Sequence, residues 1–315
     1  MNDILDYPCG ISAIDAGFPI RNLQSAVHII VEGGRVAVID TSSNRAVPRV
    51  LDALQRRGMR PEDVDYVILT HIHLDHAGGA GLLMTHLPNA ILTVHPRGAR
   101  HISAPDKLMA GTIAVYGKEQ ALEMYGDPVP VPRQRIVETP HDTRIELNGR
   151  ELRFLDTPGH ARHHVCIFDS RSGSVFAGDT FGLSYRELDR DGRQYVFPTT
   201  SPVQFDPDSL HRSIDLLLSL RPEAIYLMHF SEVRDVQRMG GDLHRLIEAH
   251  EQMARQERDA GPARHQRLRA GVEQIVREEA KRNSWRLSET ALLSLFGNDI
   301  ELNAQGLGAW LDSLD

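Results

Sequence analysis

Apolar and polar positions alternate in short bursts along the first 230 or so residues of the chain. VHIIVEG (27–33), RVAVID (35–40), YVILT (66–70) and AILTVH (90–95) are rich in β-branched residues and bounded by turn residues, so each predicts a strand. Between the second and third, AVPRVLDALQRRGM places Val47, Val50, Leu51 and Leu54 at helical spacing and stops at Gly58 and Pro61. LRFLD (152–156), VCIF (165–168), SVFAG (174–178) and AIYLMH (224–229) predict four further strands. The last follows a helix with Leu210, Ile214, Leu217 and Leu218 on one face. This alternation predicts an α/β fold with two sheets sandwiched between helices.

Two segments break the rhythm. In residues 97–141, AGTIAVYGKEQALEMYG reads as helical, and GDPVPVPRQR is too proline-rich for a central strand, so the region predicts an insertion. From about residue 235, Val236, Met239, Leu243, Leu246, Ile247 and Met253 mark one amphipathic helix, and Leu268, Val272, Ile275 and Val276 another. The expected division is a catalytic domain over 1–234, carrying the insertion, and a helical extension over 235–315.

Composition narrows the class. With 315 residues the chain can bury a large core without disulfide staples, and its two cysteines, Cys9 and Cys166, make no framework. The net charge is −8 and the basic residues are scattered, which argues against a nucleic-acid partner. No apolar run approaches bilayer length and no signal-peptide pattern opens the chain, so a cytoplasmic protein without a membrane partner is expected.

The chemistry concentrates in LTHIHLDHAGG, where His71, His73, Asp75 and His76 follow the end of a strand. Four such residues would be costly to bury without a common partner, and imidazole with carboxylate suits zinc, iron or manganese. Further along the chain stand His160 in DTPGHARHH, Asp179 in SVFAGDTFG and His229 in AIYLMHF, with His163 and His164 as near rivals of His160.

The His-x-His-x-Asp-His pattern, with these later residues in order behind it, resembles the metallo-β-lactamase superfamily over about residues 10 to 232. The resemblance implies an αββα sandwich with a helical insertion and a helical C-terminal extension. It assigns His71, His73 and His160 to one metal and Asp75, His76 and His229 to a second, with Asp179 bridging. Two divalent ions are therefore expected, zinc first and iron or manganese also compatible. Asp40, ending RVAVID, is a candidate for fixing an imidazole tautomer.

The activity implied is hydrolysis of a small ester, lactone or thioester by a metal-bridging hydroxide, with Asp75 handling its proton and Tyr185 a candidate for the oxyanion. A phosphodiesterase, or a sensor or oxidoreductase with little hydrolytic activity, is the alternative. His73 argues against the oxidoreductase branch, which typically carries a glutamate there. Tyr116, Met124 and Tyr125 are possible pocket walls. The C-terminal helices could roof the site or pair with a second subunit as a homodimer.

Overall fold

A computed structural model describes residues 4–17 and 24–314. The chain forms two compact units that interleave along it. The first comprises Met1–Asp156, His163–Gly178 and Pro222–Glu232, the second Thr157–Arg162, Asp179–Arg221 and Val233–Asp315.

Two sheets are built among the described residues. One follows chain order, β1 (Ile4–Asp6), β2 (Ile11–Asp15), β3 (Ala26–Glu32), β4 (Arg35–Ile39), β5 (Val64–Ile68), β6 (Ile91–Val94) and β7 (Ile136–Glu138). It is antiparallel up to β4 and parallel from there to β7. The other contains β8 (Arg144–Leu147), β9 (Arg150–Asp156), β10 (Val165–Asp169), β11 (Ser174–Gly178), β12 (Ile225–Leu227) and β13 (Ser231–Val233). Its spatial order runs from β13 back to β8.

All eight strands expected from the hydrophobic pattern are present. The other five, β1, β2, β7, β8 and β13, are three to five residues long and lack an extended apolar run. β7 lies inside the segment read as an insertion, and as a sheet edge it tolerates the proline-rich stretch before it.

The period of two decides which side chains meet. On β4, Val36 and Val38 face Val47, Val50 and Leu54 of α1 (Val47–Arg56). Ala37 and Ile39 point the other way, into a core shared with Phe154, Ile167 and Phe176 of the second sheet. Fully buried Arg150 ties this unit together, its Nε donating to Asp169 Oδ1 at 2.8 Å and its Nη1 to the Cys9 carbonyl at 2.6 Å. Short helices α2 (Leu74–Ala77), α3 (Ala80–His86) and α4 (Ala99–Ser103) follow, then α5 (Asp106–Tyr116) and α6 (Lys118–Tyr125) of the insertion. Leu74 packs with Met124 and Tyr125, and Tyr116 lies on the same cluster.

The second unit holds α7 (Pro207–Ser219), α8 (Val236–Gln256), α9 (Arg264–Asn283) and α10 (Glu289–Asp312). α7 opens with Pro207 behind an Asp206 cap, whose Oδ1 accepts from the Ser209 N–H at 3.1 Å. Ser288 caps α10 in the same way through Ala291. α8 and α9 are the two helices read in the tail, and α10 is a third. No helix among the described residues is long and apolar enough to cross a membrane.

Candidate metal centre

The first unit carries His71, His73, Asp75, His76 and His229. β5 ends at Ile68, and after two more residues the chain enters the loop to α2, whose N-cap is His73. The loop is held from below by the segment after β4. Thr41 donates through both N and Oγ1 to the His76 carbonyl, at 2.7 and 2.9 Å, and the Gly79 N–H donates to the Ser42 carbonyl at 2.7 Å. His71 and His76 are both fully buried.

Hydrogen bonds to one ring nitrogen of a histidine decide which lone pair the other presents. His76 Nδ1 lies 2.9 Å from Asp40 Oδ2; a carboxylate only accepts, so Nδ1 carries the proton and Nε2 the lone pair. Asp40 also accepts from the Thr70 N–H at 2.8 Å and, through Oδ2, from the Thr70 hydroxyl at 2.8 Å. The single hydroxyl proton of Thr70 is thereby used. At 3.2 Å from His71 Nδ1, Thr70 Oγ1 accepts, which leaves the His71 lone pair on Nε2. His229 donates from Nδ1 to the Gln24 carbonyl at 3.0 Å and likewise presents Nε2. Asp40 holds this position with φ +56°, a left-handed conformation that short polar residues tolerate best.

The ligand atoms so defined converge. His229 Nε2 lies 3.4 Å and His76 Nε2 3.7 Å from Asp75 Oδ2, and one ligand atom from each of the three falls within 4.8 Å of the others. His71 Nε2 and His73 Nδ1 are 3.0 Å apart. Imidazole nitrogens gathered beside a carboxylate form a donor set that fits a divalent cation of the zinc, iron or manganese type.

His163 and His164, the rivals of His160, are buried in this unit, and His164 stacks on His71 with ring centroids 4.9 Å apart. Gly178 leaves room for this arrangement. A Cβ on it would come within 2.6 Å of His164 Nε2 and 2.7 Å of Thr70 Oγ1, and its φ of +47° disfavours any side chain.

The second unit carries His160, Asp179 and Tyr185. The His160 loop is fastened to α7, with Ser213 Oγ donating to the Pro158 carbonyl at 2.6 Å and the Asp206 N–H to the Gly159 carbonyl at 2.8 Å. His160 Nε2 stands 3.6 Å from Asp179 Oδ2. Thr199 Oγ1 donates to the Asp179 carbonyl at 3.2 Å and lies 3.1 Å from His160 Nδ1. Its one proton is committed, so it accepts from Nδ1, and His160 too presents Nε2. Tyr185 is 2% exposed and donates its hydroxyl to Asp299 of α10, 3.0 Å from Oδ2.

Residues 20–229 match the sequence model of the metallo-beta-lactamase superfamily. The chain belongs to that superfamily. Its fold is the superfamily's, two sheets flanked by helices, with a helical C-terminal region. The metallo-beta-lactamase fold-containing protein ST1585 of Sulfurisphaera tokodaii is 25% identical over 236 residues, 70% of this chain and 79% of that protein. The solved structure of ST1585 from Sulfolobus tokodaii superposes with a TM-score of 0.62 at 22% identity, covering 91% of this chain and all of that one. A hydroxyacylglutathione hydrolase of Xanthomonas campestris pv. campestris is 28% identical over 182 residues, 56% of this chain and 51% of that protein. Diflavin flavoprotein A 1 of Synechocystis is 27% identical over 173 residues, 54% of this chain and 26% of that protein. The superfamily therefore includes hydrolases and redox proteins, and its members typically bind two metal ions.

Thr70, Thr199 and Gln24, which bond His71, His160 and His229, drew no attention in the sequence. A threonine after a strand or in a loop is an ordinary residue, and Gln24 acts through its backbone carbonyl, which no residue identity reports.

Proposed function

We propose that the chain is a metal-dependent hydrolase of small carboxylic esters, lactones or thioesters, with two divalent cations, zinc first, in its active centre. One would be held by His71, His73 and His160, the other by Asp75, His76 and His229, with Asp179 shared. The carrying observation is the common orientation of the imidazoles: four histidines have Nδ1 hydrogen-bonded to a protein oxygen, so that Nε2 is the ring nitrogen each turns toward the other candidate ligands of its unit. His73 in the second position supports hydrolysis over redox chemistry, and the hydroxyacylglutathione hydrolase relative names a thioester.

Bound cations supply an activated water and a Lewis acid for the attacked carbonyl. The chain's own contribution is to hold the imidazoles in one tautomer and to place the Asp75 carboxylate beside His76 and His229, where it can take the proton of the attacking water. Asp40 and Thr70 keep His76 and His71 from rotating. The Tyr185 hydroxyl, the candidate for the oxyanion, donates to Asp299, which fixes its orientation.

The redox reading draws on the diflavin flavoprotein relative. Metal analysis followed by a panel of p-nitrophenyl esters, lactones, thioesters and bis-p-nitrophenyl phosphate separates the readings. Turnover of a carboxylic substrate is expected, lost on chelation and reduced about 100-fold or more in Asp75→Asn. Metal-loaded protein inert to the whole panel overturns the hydrolase and favours the redox or sensor reading.

A further inference from the structure

α10 lies entirely beyond the residues matched by the superfamily, yet one turn of it reaches toward a ligand. Asn303 sits in the middle of this largely apolar helix and is 2% exposed. A buried asparagine there has poor helix propensity and a desolvation cost that hydrogen bonds must offset. Its side chain is engaged at both ends, the Thr200 N–H donating to Oδ1 at 2.7 Å and Nδ2 donating to the Pro198 carbonyl at 3.1 Å. Thr200 Oγ1 adds a bond to the Asn303 carbonyl at 3.1 Å. Gly306, on the same face, lets the helix come this close, since a Cβ there would stand 1.5 Å from the Thr200 carbonyl oxygen.

Residues 198 and 200 are thus clamped on either side of Thr199, the residue that bonds both His160 Nδ1 and the Asp179 carbonyl. We propose that Asn303 is a positioning residue for the metal ligand His160, acting through Thr199, so that the C-terminal helix sets the tautomer and metal affinity of the centre. The proposal rests on the metal-centre reading above only for its affinity part. The tautomer of His160 is a property of the metal-free protein as well.

Two measurements on the full-length chain test it. Nitrogen-15 correlation spectra of metal-free protein report which ring nitrogen of His160 is protonated. Competition with a chromophoric chelator reports zinc affinity. The wild type should hold the proton on Nδ1, whereas Asn303→Ala and Thr199→Val should mix the tautomers and weaken the more affected zinc site about 10- to 100-fold. Thr199→Ser, which keeps the hydroxyl, should restore both. If Asn303→Ala does not fold, Asn303→Asp, which retains the acceptor but loses the donor to Pro198, takes its place with the same expectation. A lowered melting temperature with unchanged tautomer and zinc affinity overturns the proposal, because that is what a purely structural tie would give. A wild type that binds no zinc sinks the proposed function, while the tautomer comparison still decides this one.

Discussion

Thr70 is the residue on which the first half of the centre turns. One hydroxyl donates to Asp40 and accepts from His71, while its backbone N–H also reaches Asp40, which in turn orients His76. Thr70→Val keeps the shape and removes only the hydroxyl, so the buried His71 and Asp40 each lose a partner. We expect a loss of about 10- to 100-fold in metal affinity with a nearly unchanged circular dichroism spectrum; equal affinity in the variant would remove Thr70 from the account. The candidate ligands stand out in the sequence because histidines and aspartates at such spacing have few other uses. Their supports do not, because a threonine hydroxyl becomes informative only when the direction of its single proton is known.

Among the elements, those with a long apolar run were readable, as in β3, β4 and α1, where burial by itself selects the period. The short strands β1 and β13 were not, since three residues hold no period and pairing with neighbours creates them. α8 illustrates a consequence that periodicity misses. His250, on its buried face, donates Nδ1–H to the Leu246 carbonyl at 2.8 Å and meets the Phe197 ring edge-on at 5.4 Å. Burial pushes its pKa from 6.5 down to about 4. Below pH 6.5 the unfolded chain gains a proton that the folded chain refuses until about pH 4. This contribution is therefore fully present above pH 6.5 and is lost as pH falls through the window, at a cost of about 3 kcal/mol. His28 in the first unit, lowered to about 3 by burial, acts with the same sign. Melting curves of wild type and His250→Gln across this range should show a shallower acid loss in the variant, and parallel curves would show that His250 contributes nothing.

At the scale of the whole molecule, chain order conceals most of the organisation. The chain passes between the two compact units at residues 156, 162, 178, 221 and 232, so that the loops carrying His160 and Asp179 belong with helices that come far later. No local pattern announces such an association. The apolar stripes of the tail, which offered a face for a second subunit, are largely used within their own unit. α8 buries Met239, Leu243 and Ile247, α9 buries Leu268, Val272 and Val276, and α10 buries Phe296, Ile300, Leu307 and Trp310. The large apolar side chains left exposed among the described residues are Leu5, Ile91, Val137, Val203 and Leu314. A stable homodimer needs roughly 800 Å² per partner with an apolar centre, which single side chains do not supply. The two edge strands of the seven-stranded sheet, β1 with Leu5 and β7 with Val137, are each only three residues long, and β7 follows Arg133 and Arg135 and ends on Glu138, a combination that discourages strand addition. A net charge of −8 adds repulsion between copies. Light scattering coupled to size exclusion should accordingly return a mass near 35.2 kDa. A concentration-independent mass of twice that value would overturn this expectation, and substitutions on the helical tail and charge reversal along the β7 edge would then show which surface holds the second copy.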